Sequence, residues 1–335
     1  MLKIKRPKIR KLKWGIAGCG YYAEHSFIPA LSSLRRSSLV SLYSHNMDRA
    51  KQLAENNGAS GYFSDYTEFL KSDINCVYIS SVNSDHYEQV IKAAEADKHI
   101  LCEKPLAITS KQAEEMVKIC NDKGVFLTVN YVHRFHPHVV KSRALIQNNT
   151  LGKLVSINLN FNMDFTPDNN FRFNKNLSGG GALMDLGTHL IDLLRYFGGE
   201  VEEMIGFIDN VVYNSDVDDF AVALIKFKTN GYGYLNVSFN NKKAFNRIEI
   251  LGHKGAISIE NFIGVKNQSA KLSILLDGDA KVSFRKRGNK LHFLLRSVQK
   301  SFLNNEEPLV TGEDGLINLK LMEELERKCR NWRCD

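Results

Sequence analysis

Lys13-Trp14-Gly15-Ile16-Ala17-Gly18-Cys19-Gly20-Tyr21-Tyr22-Ala23 is the stretch that decides the fold of the first half of the chain. Lys13 to Ala17 read as a short buried strand. The strand runs into Gly18-Cys19-Gly20-Tyr21-Tyr22-Ala23, which is G-x-G-x-x-A. The first two glycines permit a tight turn and let backbone N–H groups reach a pyrophosphate, and the small third residue lets helix and strand pack closely. A helix N-terminus placed there favours the anion. Alone the pattern is weak. Its context strengthens it: a strand before, a helix after, and a second strand, Leu39–Tyr43, at the right distance.

That second strand ends Tyr43-Ser44-His45-Asn46, without the Asp or Glu that holds the ribose hydroxyls of NAD. A carboxylate there would repel the 2′-phosphate of NADP. The choice between NAD and NADP therefore leans slightly to NADP, with Ser44 and His45 as candidate partners of the phosphate. An exposed loop is the alternative reading of those two residues. The nearest base is Arg49, in the next helix.

Strand and helix signals then alternate. Met47–Asn57 reads as a helix capped by Gly58. Asp65 caps a short helix through Leu70. Cys76–Ser80 is a compact apolar run, as expected of a parallel strand buried on both faces. A helix opens at Ser84 or Asp85 and runs to Ala96. His99–Cys102 is the next strand and ends in Glu103-Lys104-Pro105. Ser110–Lys123 is a helix closed by Gly124, and Val125–Asn130 is another strand. This order predicts a doubly wound parallel sheet, an α/β Rossmann domain over residues 14–130. Ligands of such sheets bind beyond the C-terminal strand ends. Gly18, Ser81, Asn83 and Lys104 all occupy that edge. The candidate cofactor residues are Gly18, Cys19, Gly20, Tyr21, Tyr22, Ser44, His45, Ser81, Asn83, His86, Glu103 and Lys104. Pro105 restricts Lys104 to extended geometry. A lysine held there can bond a substrate oxygen, whereas a lysine at a strand end is otherwise simply solvated.

After Gly152 the periodicity changes. Ile157, Leu159, Phe161, Met163 and Phe165 alternate with Asn158, Asn160, Asn162 and Asp164, which gives a strand one buried and one polar face. Phe220–Lys228, Gly231–Phe239, Ile248–Leu251 and Ala256–Glu260 are further strand candidates, separated by turns at Thr229-Asn230-Gly231 and His253-Lys254-Gly255. Residues 131–335 therefore form a second α/β domain with a mostly antiparallel sheet, covered on one side by helices such as Leu183–Phe197. Leu291–Leu303 and Gly315–Lys328 read as helices that pack back on the first domain.

Gly179-Gly180-Gly181-Ala182-Leu183-Met184-Asp185-Leu186-Gly187-Thr188-His189-Leu190-Ile191-Asp192 reads as a glycine loop feeding a helix. On an α-helix Asp185 and His189 share one face, one turn apart. Gly187, between them, suggests a close approach to the backbone. A carboxylate beside an imidazole with space cleared around it suits proton transfer; a solvated Asp–His pair is the alternative. Arg172, just before the loop, is a candidate ligand for sugar hydroxyls or a carboxylate, or else an exposed cation. Arg134 is a candidate substrate residue or half of an interdomain salt bridge. Asp185 and His189 lack a third ligand, so no metal is expected.

Composition excludes several classes. The net charge of +8 is local: seven bases fall within residues 1–13, and the other 38 balance 37 acids. It therefore reads as a basic terminal tail and does not argue for a nucleic-acid partner. No apolar run approaches the roughly 18 residues of a membrane span, and the basic N-terminus lacks the apolar segment of a secretory signal. The six cysteines show no zinc-type spacing and fit a reducing, cytoplasmic setting.

Together, Gly18–Ala23, His99-Ile100-Leu101-Cys102-Glu103-Lys104-Pro105-Leu106 and Gly179–Asp192 resemble the Gfo/Idh/MocA family, named for glucose–fructose oxidoreductase and inositol dehydrogenase. Asn130-Tyr131-Val132-His133-Arg134-Phe135-His136-Pro137 is similar to the family's interdomain link. The resemblance implies a Rossmann domain, a C-terminal α/β domain with an open-faced sheet, and NAD(P)-linked oxidation or reduction of a sugar or polyol. It also implies dimers or tetramers through that sheet. Lys104, Asp185 and His189 become the expected catalytic residues. An imidazole, with a reference pKa of about 6.5, suits the acid–base role. Lys104 would stabilise an alkoxide, and Asp185 would orient His189 or bond a neighbouring hydroxyl. Lys104, Arg134, Arg172, Asp185 and His189 are the expected substrate residues. A glycosidase that oxidises its substrate transiently, and a non-catalytic sugar sensor like the yeast galactose repressor, are the alternatives.

Overall fold

The computed structural model describes residues 10–263, 269–278 and 280–332. Most of the basic tail, residues 1–9, and Cys334 lie outside the described residues. The chain divides into two compact units, one holding residues up to Val132 together with Asn289–Leu319, the other His133–Gly288 and the chain from Lys320 onward.

In the first unit β1 (Leu12–Ala17), β2 (Ser37–Tyr43), β3 (Gly61–Phe63), β4 (Cys76–Ile79), β5 (His99–Cys102) and β6 (Leu127–Val129) form one sheet in the order β3-β2-β1-β4-β5-β6. Every neighbouring pair is parallel. This is the doubly wound order expected from the alternation, with its reversal between β1 and β4. The helices are α1 (Ile28–Ser32), α2 (Met47–Asn57), α3 (Tyr66–Lys71), α4 (His86–Glu95) and α5 (Ser110–Lys123).

Local signals set their ends. The Asn46, Asp65 and Thr109 side chains each accept a first-turn N–H, and Gly58 and Gly124 close α2 and α5 with φ of +66° and +62°. Successive β1 residues face opposite sides of the sheet. The Trp14 ring meets Phe27 at 5.7 Å. Gly15, on the other side, leaves room for Phe69, whose ring would lie 2.5 Å from an added Cβ.

The second unit contains α6 (Pro137–Gln147), β7 (Leu154–Asn162), α7 (Lys175–Ser178), α8 (Thr188–Gly198), β8 (Val201–Asp209), β9 (Phe220–Phe227), β10 (Tyr232–Ser238), β11 (Arg247–Gly252), β12 (Gly255–Glu260), β13 (Ala270–Leu276) and β14 (Val282–Lys286). Its eight strands lie in the order β14-β13-β12-β11-β7-β10-β9-β8. Among the described residues of this sheet only β7 and β10 pair in parallel. One inward row crosses seven strands in register: Met204, Ile225, Gly233, Ile157, Ile250, Ile257 and Ile274. Gly233 breaks the row because α8 needs the space; the Leu194 side chain lies 2.9 Å from where a Cβ would stand. That contact seats α8, and hence His189 near its start, on the centre of the sheet.

Two more helices, α9 (Lys290–Asn304) and α10 (Gly312–Trp332), follow. Phe302 of α9 stacks on Trp14 at 6.1 Å and on Phe126 at 5.8 Å, inside the first unit. Among the described residues no helix is long and apolar enough to cross a membrane.

Candidate active site

Ladder bonds align the candidate cofactor edge. Gly18 N–H donates to Tyr43 O, Ser80 N–H to Ala17 O and Glu103 N–H to Ile79 O, so the chain leaves β1, β2, β4 and β5 side by side. Gly18 has φ +96°, and a Cβ on it would stand 2.5 Å from the Ser81 nitrogen. Only glycine fits that turn. Gly20 has no atom within 4 Å of its missing Cβ, so that side of the loop is open. Ala23 is fully buried. A tight turn, an open backbone and a helix starting at Tyr21 together fit a pyrophosphate. The helix is not uniformly α: Ala23–Phe27 is a π turn. Cys19 points inward, its thiol 3.5 Å from Tyr43 O, and burial raises its pKa to about 11. Only its backbone is available to a cofactor. Tyr21 is exposed and stacks on His25 at 4.2 Å, and Tyr22 is partly exposed.

Ser44 Oγ accepts from Asn46 N–H at 3.2 Å. His45 is exposed, its Nε2 3.2 Å from Asp85 and its Nδ1 3.2 Å from the Tyr43 hydroxyl. Arg49 is closer to the glycine turn than its place in the sequence suggests. Its Nε donates to Cys19 O at 3.1 Å, and its guanidinium pairs with Glu24 at 2.5 Å. A cation therefore does stand beside the turn.

Ser81 donates to Gln89 at 2.8 Å, and Asn83 begins a 3₁₀ turn through Asp85. His86 corrects an expectation. Its side chain is fully buried, with Nδ1 3.0 Å from Pro105 O, so it cannot touch a cofactor directly. It buttresses the Lys104–Pro105 segment, whose peptide bond is cis. Burial lowers its pKa below 6.5. Glu103 accepts from the Tyr78 hydroxyl and from Asn130 Nδ2, and the Lys104 N–H donates to its second oxygen at 3.3 Å. Burial raises its pKa, and these hydrogen bonds oppose the rise. The Lys104 side chain, at this same edge, is partly exposed.

In the second unit the glycine loop is held by Asp218, which the sequence reading missed. Its carboxylate accepts from Gly181 N–H and Leu183 N–H, both at 2.8 Å. A Cβ on Gly181 would collide with the Asp218 carbonyl at 1.9 Å. The partners lie 37 and 35 residues apart, and no local pattern announces such a pair. The neighbouring Asp219 gathers N–H bonds from Val211, Val212 and Tyr213.

Leu183–Gly187 is a second π turn, and α8 begins at Thr188. Asp185 lies in the π turn and His189 in α8. The one-turn, same-face spacing expected of a continuous α-helix therefore does not apply. The close neighbour of Gly187 is Leu183 of the same turn, 2.8 Å from the missing Cβ.

Arg172 and Asp185 are brought together, Nε to Oδ2 3.2 Å. Arg134 is not an exposed ligand. It is 6% exposed and donates from two nitrogens to Asp192 of α8, at 2.8 and 2.5 Å. The pair lies within the second unit. His189 is buried at 9% exposure. Its ring meets His133 at 4.7 Å and Phe161 at 6.4 Å. Among the described residues no group of three His, Cys, Asp or Glu side chains is placed to hold a metal.

Residues 12–131 match the oxidoreductase family with an NAD-binding Rossmann fold, and residues 139–258 match the GFO/IDH/MocA C-terminal domain. The chain is 25% identical to 1,5-anhydro-D-fructose reductase of Ensifer adhaerens over 312 residues, 92% of this chain and 93% of that one. It is 28% identical to myo-inositol 2-dehydrogenase of Thermotoga maritima over 298 residues, 82% and 83% of the two chains. The crystal structure of aldose–aldose oxidoreductase from Caulobacter crescentus, complexed with glycerol, superposes with a TM-score of 0.89 at 26% identity, covering 96% of this chain and 98% of that one. With a dinucleotide cradle in one unit, an open-faced sheet in the other, and both halves matched, the chain belongs to the Gfo/Idh/MocA family of NAD(P)-dependent oxidoreductases.

Proposed function

We propose that this protein interconverts a hydroxyl and a carbonyl on a sugar or polyol, with His189 as the acid–base and Lys104 on the reacting oxygen. The cofactor, preferentially NADP, would accept the hydride in its oxidised form and supply it in its reduced form. The substrate class rests on the relatives, two of which are named for an anhydro sugar and an inositol. The observation that carries the assignment is the setting of His189: a buried imidazole walled by rings, at the start of a helix whose preceding turn presents Asp185. In oxidation His189 takes the hydroxyl proton, and in reduction it returns it. The Lys104 ammonium stabilises the negative oxygen between the two states. Asp185 and Arg172 hold neighbouring hydroxyls.

The NADP preference rests on a strand end without a carboxylate and on Arg49 beside the glycine turn. Gly18, Gly20, Tyr21 and Tyr22 would hold the dinucleotide phosphates, and Ser44, His45 and Arg49 would hold the 2′-phosphate. Ser81, Asn83 and Glu103 would hold the nicotinamide end. The outward face of the second sheet exposes Phe207, Leu224, Tyr232 and Leu275, an apolar surface suited to a second copy of the chain. Cys19, Cys76, Cys102 and Cys120 are free and buried, which suits a reducing cytoplasm.

A panel of sugars and polyols, tested with NAD and NADP by nicotinamide absorbance, checks the reading. Turnover on at least one member is expected, with NADP favoured, and Ser44→Asp shifts the preference toward NAD. His189→Ala lowers kcat by about 10²- to 10⁴-fold while leaving cofactor affinity intact. Cofactor binding without turnover would identify a sensor. Hydrolysis without net reduced cofactor would identify a glycosidase.

A further inference from the structure

The His189 ring packs against other rings. It belongs to a four-ring cluster, all within the second unit. His133 meets it edge to face, with centroids 4.7 Å apart and planes at 76°. Phe161 from β7 meets His133 at 6.3 Å and His189 at 6.4 Å. Phe262, just after β12, meets His133 at 5.2 Å. All four are buried, at 6%, 9%, 7% and 2% exposure for His133, His189, Phe161 and Phe262.

The backbone of α8 fixes the His189 Cα but leaves the terminal ring torsion broad and roughly two-fold. In an edge-to-face pair the positive edge of one ring lies against the negative face of the other, so the contact prefers one orientation. His133 is itself held from two sides. Its own place is secured one residue on, where Arg134 forks onto Asp192, three residues after His189 on the same helix. The Val132–Phe135 3₁₀ turn and α8 are thereby tied at adjacent points.

We propose that His133 is a positioning residue that sets the ring orientation of His189 for proton transfer. The inference rests on His189 being the acid–base group. Its contribution goes to turnover, because a misplacement of about 1 Å can cost about 10²-fold in rate without weakening substrate binding.

The test is a double-mutant cycle on the full chain, read as kcat and KM with the best substrate of the panel and as a melting temperature. His133→Ala is expected to lower kcat about 10- to 100-fold with substrate and cofactor KM within about threefold. His133→Phe, which restores a ring of similar shape, is expected to recover kcat to within about fivefold of wild type. In a His189→Ala background, His133→Ala is expected to lower kcat by no more than about twofold, because the residue it acts through is gone. An equal loss in both backgrounds overturns the proposal, as does a His133→Phe protein that folds but stays as slow as His133→Ala. If His189→Ala alone leaves kcat unchanged, the acid–base assignment fails instead, and the single mutants identify that case.

Discussion

The Arg172 guanidinium meets the Asp185 carboxylate at 3.2 Å, joining the loop before α7 to the π turn before α8. The side chains are 36% and 15% exposed, so the pair is screened and contributes only about 0–1 kcal/mol to folding. Its value lies in placement, since each holds the other at the mouth of the loop. Arg172→Ala should change the melting temperature by less than about 4 °C and raise substrate KM about tenfold. Thermal melts beside steady-state kinetics measure both. A large loss of stability with KM unchanged would make Arg172 a scaffold residue.

The Arg134–Asp192 pair makes the opposite case. The two side chains are 7% and 1% exposed, and Tyr196 lies 5.3 Å from the guanidinium. Removing one partner strands a buried charge and costs about 3–5 kcal/mol. Asp192→Ala and Arg134→Met should each lower the urea midpoint sharply. The double variant Arg134→Met/Asp192→Leu should recover much of the loss, since a well-packed apolar pair is often neutral by comparison. A substrate ligand at Arg134 would instead raise KM and leave the midpoint alone.

Gly18 and Gly20 separate the fold from the cofactor. Alanine at Gly18 meets the Ser81 backbone at 2.5 Å and must adopt φ +96°. That backbone conformation alone costs about 1–2 kcal/mol. Gly18→Ala should therefore lose stability and NADPH affinity together. Gly20→Ala meets no protein atom within 4 Å. It should leave stability within about 0.5 kcal/mol and still weaken NADPH binding at least tenfold, because the new methyl would fill the open side of the turn proposed for the phosphates. Fluorescence titration with NADPH, alongside melting curves, reads both variants. Unchanged affinity in Gly20→Ala would move the pyrophosphate elsewhere.

What the sequence made legible was local. Asp65, Gly58 and Gly124 mark helix ends by bonds within a few residues, and α2 and α5 end where Gly58 and Gly124 predict. The alternation after Gly152 gave β7 because Ile157, Leu159 and Phe161 all face the core. β8 escaped because its outward side carries Ile205 and Phe207 while Met204 is its one fully buried side chain, so no period-two signal survives. β13 and β14 were missed as well. The π turns were hidden because an inserted residue leaves no mark in composition. At the site, residue types were readable but partners were not. Arg134 finds Asp192 across 58 residues, and Gly181 finds Asp218 across 37. His133 had a visible signal, its place beside Arg134 in the link, but only the fold turns it toward His189.

His86 makes stability depend on pH, and the sign follows from its burial. The fully enclosed ring is held neutral, with Nδ1–H donating to Pro105 O, and its pKa lies below the ordinary 6.5. Once unfolded, the same ring takes a proton near pH 6.5. Below that pH the unfolded chain binds more protons than the folded one, so stability falls as the solution is acidified toward the depressed folded value. One group contributes at most about 1.4 kcal/mol per pH unit. His138, also shifted down by burial, acts in the same direction. Urea midpoints at pH 7.5, 6.5 and 5.5 should decline in the wild type. His86→Gln keeps a donor for Pro105 O but cannot titrate. It should begin less stable at pH 7.5 and decline less steeply, by up to one proton's worth of slope. Parallel curves for the two proteins would show that His86 is already charged in the fold, which its enclosure opposes.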